Sequence, residues 1–116
     1  MRGRMNSVTF QEFLKNLNIE ISPKEVLSKL PSNSDSYWVC RLKLETDMTF
    51  IEIMNLYLSD VKLLKIKPQT YKELKEYLIN KKGLLNNERL FYDFCKDSRT
   101  AYRTFRKQLK RKLKPI

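Results

Sequence analysis

The residues of this chain that could do chemistry are mainly cations, and they are concentrated at one end of the sequence. Residues 99–116 contain eight lysines and arginines and no acidic residue, whereas residues 1–98 contain sixteen lysines and arginines and thirteen acidic residues. A block of cations without acids attracts polyanions such as DNA, RNA or an acidic membrane. The alternative is a solvated helix face that only aids solubility, although such a face usually mixes both signs.

Side chains suited to catalysis or to metal binding are scarce. The chain has no histidine, and its two cysteines do not form a Cys-x-x-Cys motif, so zinc sites built from cysteine and histidine are excluded. No glycine loop that could bind phosphate is present. We therefore expect no catalytic residue, no metal and no cofactor, and a protein that is not an enzyme. Two acidic pairs could hold Mg²⁺ as in nucleases, but helix caps and surface charges explain them better: Glu73 with Glu76, and Glu45 with Asp47.

The remaining bulk features predict a cytoplasmic protein without a membrane partner. Cys40 and Cys95 lie among apolar residues, which favours buried free thiols in a reducing compartment over a disulfide. No stretch approaches the ~20 apolar residues of a membrane-spanning helix. Glu12 and Lys15 interrupt the apolar run that a secretory signal would need after the basic N-terminus.

The elements that must position the cations have mainly helical patterns. Four Ser/Thr-x-x-Glu patterns, typical of capping boxes at helix starts, each precede an apolar periodicity. They predict helices that start near residues 10, 23, 50 and 71. The four patterns are Thr9–Glu12, Ser22–Glu25, Thr49–Glu52 and Thr70–Glu73.

Two segments instead have the alternating pattern of β-strands. In residues 37–45 the apolar residues Trp38, Cys40 and Leu42 are each separated by one position, and residues 61–67 could pair with this segment. The sequence thus predicts a small two-strand element from 37–45 and 61–67. Tyr37 and Trp38 could stack on unpaired bases, but the phase of Trp38 with Cys40 favours a place in the core.

The C-terminal part, from Thr70 onward, is predicted to form three helices. The first ends at Gly83, the second covers roughly 88–95, and the third runs from Asp97–Ser98 to about Lys114. The third helix has its cations on one face and an apolar stripe on another, formed by Ala101, Tyr102, Phe105, Leu109 and Leu113.

Within this part, the run SRTAYRTFRK, residues 98–107, is similar to recognition helices of the helix-turn-helix superfamily. In those helices a serine or threonine opens the helix, an arginine follows, and apolar residues at Ala101-like and Phe105-like positions anchor it. The resemblance covers about 40 residues, and it departs from the usual pattern because the turn lacks the common glycine. It implies that four side chains face a DNA groove: Arg99, Thr100, Arg103 and Thr104.

Together these features predict one mainly α domain, 1–116, with about six helices and the small two-strand element. Residues 1–69 would be a scaffold or interaction part, suited to a homodimer or another protein partner, and residues 70–116 a basic helix-turn-helix-like part. We expect a nucleic-acid-binding protein, for DNA rather than RNA, acting as a small regulator or as a replication or mobile-element accessory factor. The alternatives are an RNA-binding protein, or a protein-interaction or assembly factor of phage or plasmid type whose basic face is incidental. The predicted nucleic-acid-binding residues are Arg99, Thr100, Arg103, Thr104, Arg106, Lys107, Lys110, Arg111 and Lys114.

Overall fold

The computed structural model describes residues 9–84, 88–91 and 98–113, with side chains of the last range described from residue 102. These residues form helices and no β-strand, so the mainly α prediction is confirmed. No helix among them is long and apolar enough to cross a membrane. The α-helices are α1 (Phe10–Asn16), α2 (Pro23–Lys29), α3 (Asp35–Glu45), α4 (Phe50–Met54), α5 (Pro68–Glu76) and α6 (Ser98–Leu113). A 3₁₀ helix (Leu58–Leu63) precedes α5, and a π-helical turn (Tyr77–Lys81) follows it.

Three of the four predicted capping boxes are formed, at the starts of α1, α2 and α4. In the box of α4, the Thr49 hydroxyl accepts a hydrogen bond from the Glu52 N–H at 3.1 Å, and the Glu52 carboxylate accepts one from the Thr49 N–H at 2.8 Å. The fourth prediction is wrong because α5 begins three residues earlier, at Pro68, a residue preorganised for the first helical position. Thr70 lies inside α5, and its hydroxyl donates to the Glu45 carboxylate at 2.8 Å.

Residues 37–45, the first predicted strand, are helical instead and belong to α3. The Ser34 hydroxyl caps this helix by accepting from the Tyr37 N–H at 3.3 Å. Helices α2, α4 and α6 all pack against α3, which is therefore the centre of the fold. A helix covered on several sides carries apolar residues around its circumference and loses the 3.6-residue period that identifies a surface helix. The buried apolar residues of α3 are Trp38, Val39, Cys40 and Leu42.

Residues 61–67, the second predicted strand, form the end of the 3₁₀ helix and an extended connection into α5. The Tyr57 N–H donates to the Asp60 carboxylate at 2.9 Å, which stabilises the turn that opens the 3₁₀ helix. Its predicted partner, residues 37–45, is helical, so the predicted strand pairing does not form. Val61 is buried, whereas the Leu63 side chain is 72% exposed.

The core between α1, α4 and α6 is aromatic. The Phe13 ring stacks on Phe105 at a centroid distance of 5.7 Å and contacts Phe50 at 4.4 Å. The apolar stripe of α1 is therefore covered within the chain itself. Its members are Phe10, Phe13, Leu14 and Leu17, all buried.

The predicted helix-turn-helix unit is not confirmed. Its middle helix, 88–95, is not helical over residues 88–91, where Arg89 instead forms an isolated antiparallel β-bridge with Tyr57. The Leu90 N–H donates to the Leu56 carbonyl at 3.0 Å, which ties this segment to the residues after α4. Residues 92–95, and with them Cys95, lie outside the described residues. The predicted stop at Gly83 agrees with its positive φ of 72°, a conformation that glycine adopts without strain.

Candidate nucleic-acid interface

Helix α6 has an inner face that the fold uses. Phe105 and Leu109 are fully buried, and Leu113 nearly so, where α6 packs on α4 and α3. Tyr102 lies half-buried at the edge of this face, and burial raises the pKa of its hydroxyl. The predicted apolar stripe is confirmed for these four residues, while the side chain of Ala101 lies outside the described part.

The other side of α6 carries exposed cations. At 100° per residue, Arg103, Arg106, Lys107 and Lys110 fall within an arc of about 100° on the helix, with Arg111 next to it. Between positions 103 and 110 they span roughly 10 Å of helix axis, at 1.5 Å per residue. The exposed cations of the described side chains of α6 are Arg103, Arg106, Lys107, Lys110, Arg111 and Lys112.

These cations have no acidic partner among the described residues: every ion pair found there involves Arg41 or Lys82. The Arg106 guanidinium lies over the Tyr102 ring, 5.9 Å from its centroid, a contact that leaves its N–H donors open to a ligand. An exposed cation that the fold does not neutralise can bind an external anion without first breaking an internal pair.

The structure brings together five of the nine predicted site residues on the exposed side of α6: Arg103, Arg106, Lys107, Lys110 and Arg111. Thr104 is half-buried and lies beside them. Arg99 and Thr100 belong to α6 by their backbone, but their side chains are outside the description, and Lys114 lies outside the described residues altogether. The role of all nine in binding nucleic acid stays a prediction.

By contrast, the Arg41 cation of α3 is engaged by several partners within the fold. The Arg41 guanidinium donates to Glu73 at 2.6 Å, to Glu45 at 3.3 Å and to Thr70 at 3.1 Å. Partial burial alone would lower the pKa of Arg41, but the bond to Glu73 and those with Tyr37 and Glu45 outweigh it and raise the pKa. Bonds from Gln69 and Arg41 lower the pKa of Glu73. Glu45 and Glu73 therefore hold α3 and α5 together, and neither serves as the helix cap or simple surface charge that the sequence predicted.

A buried ion pair was missed by sequence reasoning. The Lys82 ammonium lies 2.8 Å from the Asp35 carboxylate, and these side chains are only 5% and 4% exposed. Lys82 also donates to the Leu90 carbonyl at 2.6 Å, and the Tyr77 hydroxyl donates to Asp35. The network joins the start of α3, the π-helical turn and residues 88–91. No local pattern could have revealed a pair whose members are 47 positions apart.

No cluster of three acidic or cysteine side chains that could hold a metal ion occurs within the described ranges. Cys40 is a free, buried thiol in α3, and burial raises its pKa well above the usual range. The chain was also compared with known protein families, with curated proteins and with solved structures, and none of them matches it.

Proposed function

We propose that this protein binds nucleic acid, in the first place duplex DNA, through the exposed cations of α6. The observation that supports this most directly is the division of α6 into an anchored apolar side and a side of exposed cations without acidic partners. An α-helix with its side chains is about 10–12 Å wide, which suits the ~12 Å major groove of B-DNA.

The anchoring of α6 matters for the affinity. Phe105 and Leu109 fix the helix against α4 and α3, so the cations are presented from a rigid element. Binding then orders mainly side chains and not the backbone, which keeps its entropic cost low. Release of counterions from the phosphates provides the driving force, and it makes binding depend on salt.

The test is a salt titration of the full-length protein on a short fluorescent duplex, followed by anisotropy. Neutralising about six phosphates gives a slope of log K against log salt near −5. The variant Arg103→Gln/Lys107→Gln/Lys110→Gln should reduce this slope by about 3. A matched control with equal charge loss, Lys15→Gln/Lys24→Gln/Lys29→Gln, changes exposed lysines of α1 and α2 and should leave the slope unchanged. An affinity that does not depend on salt would refute the proposal.

A second measurement separates sequence-specific DNA binding from general attraction. In the helix-turn-helix comparison, Arg103 lies near the end of the helix that contacts base edges. Arg103→Ala should then cost roughly 1–3 kcal/mol on a selected duplex and little on random duplexes. Equal losses of affinity on both kinds of duplex would mean that α6 attracts DNA through its charge alone, without reading the sequence. A loss of affinity for structured RNA alone would favour RNA as the ligand.

The proposed role is that of a small regulator or accessory factor that acts by occupying cytoplasmic DNA, without catalysis. Incubation of labelled DNA or RNA with the protein and Mg²⁺ or Mn²⁺ should leave the substrate intact. Metal-dependent cleavage by the purified protein would overturn the non-enzymatic part of the proposal.

A further inference from the structure

Basic charge is concentrated in a second part of the chain as well. Residues 61–84 contain seven lysines and two acidic residues, whereas residues 9–60 contain five basic and eight acidic residues. One of the seven, Lys82, is buried in its ion pair with Asp35. The other six are exposed, and we call five of them, which follow one another from the 3₁₀ helix to α5, the lysine surface: Lys62, Lys65, Lys67, Lys72 and Lys75.

The fold turns these lysines outward. The inner side of α5 is occupied by Thr70 and Leu74, which are buried, and by Glu73, which binds Arg41. At 100° per residue, Lys72 and Lys75 lie on the opposite side of the helix. Within the described residues no ammonium group of the lysine surface forms an ion pair. Of the carboxylates near the lysine surface, Glu45 is already engaged by Arg41 and Thr70, whereas Asp47 and Glu52 line a cavity with Lys65 and the exposed Glu76 lies four positions from Lys72.

The lysine surface and the cations of α6 lie on different sides of the molecule. Helix α3 contacts α6 through Ser36, whose hydroxyl donates to Gln108 at 3.3 Å, and it contacts α5 through Arg41 and Glu45. Positions 36 and 41 are separated by about 140° around α3, and positions 36 and 45 by about 180°. Helices α5 and α6 therefore pack on roughly opposite sides of α3, and each turns its cations away from it.

The separation is too large for one straight, short duplex to contact both groups of cations. Helix α6 packs on α3, and packed helices lie 8–10 Å apart, while α5 is joined to α3 by the long side chains of Arg41 and Glu45, so the axes of α5 and α6 are separated by at least about 16 Å. Their outward-pointing cations are farther apart still, in a molecule that measures 38 × 37 × 27 Å. A duplex seated on α6 leaves the lysine surface open to a second polyanion.

We propose that the lysine surface is a second nucleic-acid contact and that one molecule of this protein bridges two duplex segments. The inference rests on the proposed function of α6, since α6 holds the first segment. The lysines suit a phosphate backbone and not base edges, because an ammonium group is a compact point charge without the planar geometry of arginine. The second contact should therefore be independent of sequence.

The test is a co-capture assay with two short duplexes, one biotinylated and one fluorescent, and the full-length protein. The wild type should retain the fluorescent duplex on streptavidin beads. Lys65→Gln/Lys72→Gln/Lys75→Gln should bind a single duplex with an affinity within about threefold of the wild type but lose co-capture by at least about tenfold. The control Lys15→Gln/Lys24→Gln/Lys29→Gln has the same charge loss and should retain co-capture. Circular dichroism verifies that all variants are folded.

The outcomes separate the two proposals. If the wild type does not bind a single duplex, the proposed function fails, and bridging fails with it. If it binds but does not co-capture, only the bridging inference is overturned. Co-capture that survives loss of the lysine surface would also overturn it, because the bridge would then come from association of protein copies.

Finally, Leu63 is exposed beside these lysines. Binding of phosphatidylserine vesicles that depends on the lysine surface, without capture of a second duplex, would assign the surface to a membrane.

Discussion

Helices α3 and α6 pack against each other, yet they use their surfaces in opposite ways. In α3, which is described completely, only Leu44 is exposed, and that side chain at 38%. Its cations are engaged within the fold, Arg41 by carboxylates and Lys43 by the Met48 carbonyl at 3.0 Å. In α6, one side is buried as deeply as α3, and the other consists of cations without ion-pair partners among the described residues. Charge in α3 therefore serves the fold, whereas the exposed charge on α6 has no ion-pair partner in the described part of the chain.

The largest expected effect concerns the side of α6 that the fold does use. Phe105 is fully buried and contacts the rings of Phe13 and Phe50. Phe105→Ala should lower the free energy of unfolding by about 3–5 kcal/mol, because it removes buried apolar surface and leaves a cavity. Urea denaturation measures this loss. Arg106→Ala, one position away on the exposed side, should change stability by less than about 0.5 kcal/mol. Similar losses for both variants would mean that α6 has no distinct sides.

A second, slightly smaller effect is expected at the start of α3. Asp35→Asn should cost about 3 kcal/mol, because it leaves the buried Lys82 ammonium without its counter-charge. The bond from Lys82 to the Leu90 carbonyl partly compensates for the change. Lys82→Met should cost a similar amount, and the double variant should be more stable than the sum of the single losses predicts. Additive losses would show that the two side chains do not act as a pair.

The difference between α6 and α3 determines how much of the fold the sequence could predict. Helix α6 is amphipathic, so its period, its inner residues and its exposed cations could all be derived from spacing. The caps of α1, α2 and α4 were equally predictable, since a capping box is a local interaction between residues three positions apart.

The predictions that are wrong concern segments whose secondary structure depends on tertiary contacts. Helix α3 is apolar around most of its circumference because other helices surround it. Apolar residues therefore also fall at alternate positions of its sequence, which is the pattern of a strand. A predicted strand at 37–45 makes residues 61–67 its apparent partner, so the second error follows from the first. Arg89 forms its bridge with Tyr57, which is distant in sequence, so no local pattern indicated that 88–91 is not helical. The site was predictable as a set of cations, but the opposite orientation of the lysine surface depends on how α5 and α6 pack on α3.

A third prediction concerns the pH dependence that α3 gives to the fold. Burial raises the pKa of Cys40 in the folded state, so the folded protein keeps this proton at pH values where the unfolded chain, with a thiol pKa near about 8.5, releases it. The contribution to stability is complete below about pH 8.5 and declines above it, by about 1.4 kcal/mol at one pH unit higher.

Unfolding of the wild type and of Cys40→Ala should therefore be compared between pH 7.5 and pH 9.5, taken as about one unit on either side of the unfolded thiol pKa. In Cys40→Ala, the part of the decline in the free energy of unfolding that is due to the thiol should be absent. An identical decline in both proteins would mean that the Cys40 thiol is accessible to solvent. Alkylation followed by peptide mapping offers an independent measurement, since Cys40 should react only in the unfolded chain.

The smallest expected effect, and the one most specific to the comparison, is a gain in stability on the exposed side of α6. Lys107 lies four positions from both Arg103 and Arg111, and like charges at this spacing repel on a helix by about 0.2–0.5 kcal/mol per pair. Lys107→Glu turns both repulsions into attractions. It should therefore raise the free energy of unfolding by about 1 kcal/mol at low salt, and this gain should disappear near 1 M salt, where the Debye length is about 3 Å. Lys107→Gln should give about half the gain.

The same Lys107→Glu variant should bind duplex DNA more weakly, because it places a negative charge among the cations that would contact phosphates. Stability and binding then change in opposite directions, which is the behaviour expected of charge that the fold does not need. On α3, charge cannot be changed without loss of stability. Arg41→Glu would place its new carboxylate beside Glu45 and Glu73 and destabilise the fold. If Lys107→Glu instead lowers stability, Lys107 has a partner within the chain, and the distinction between the two helices does not hold.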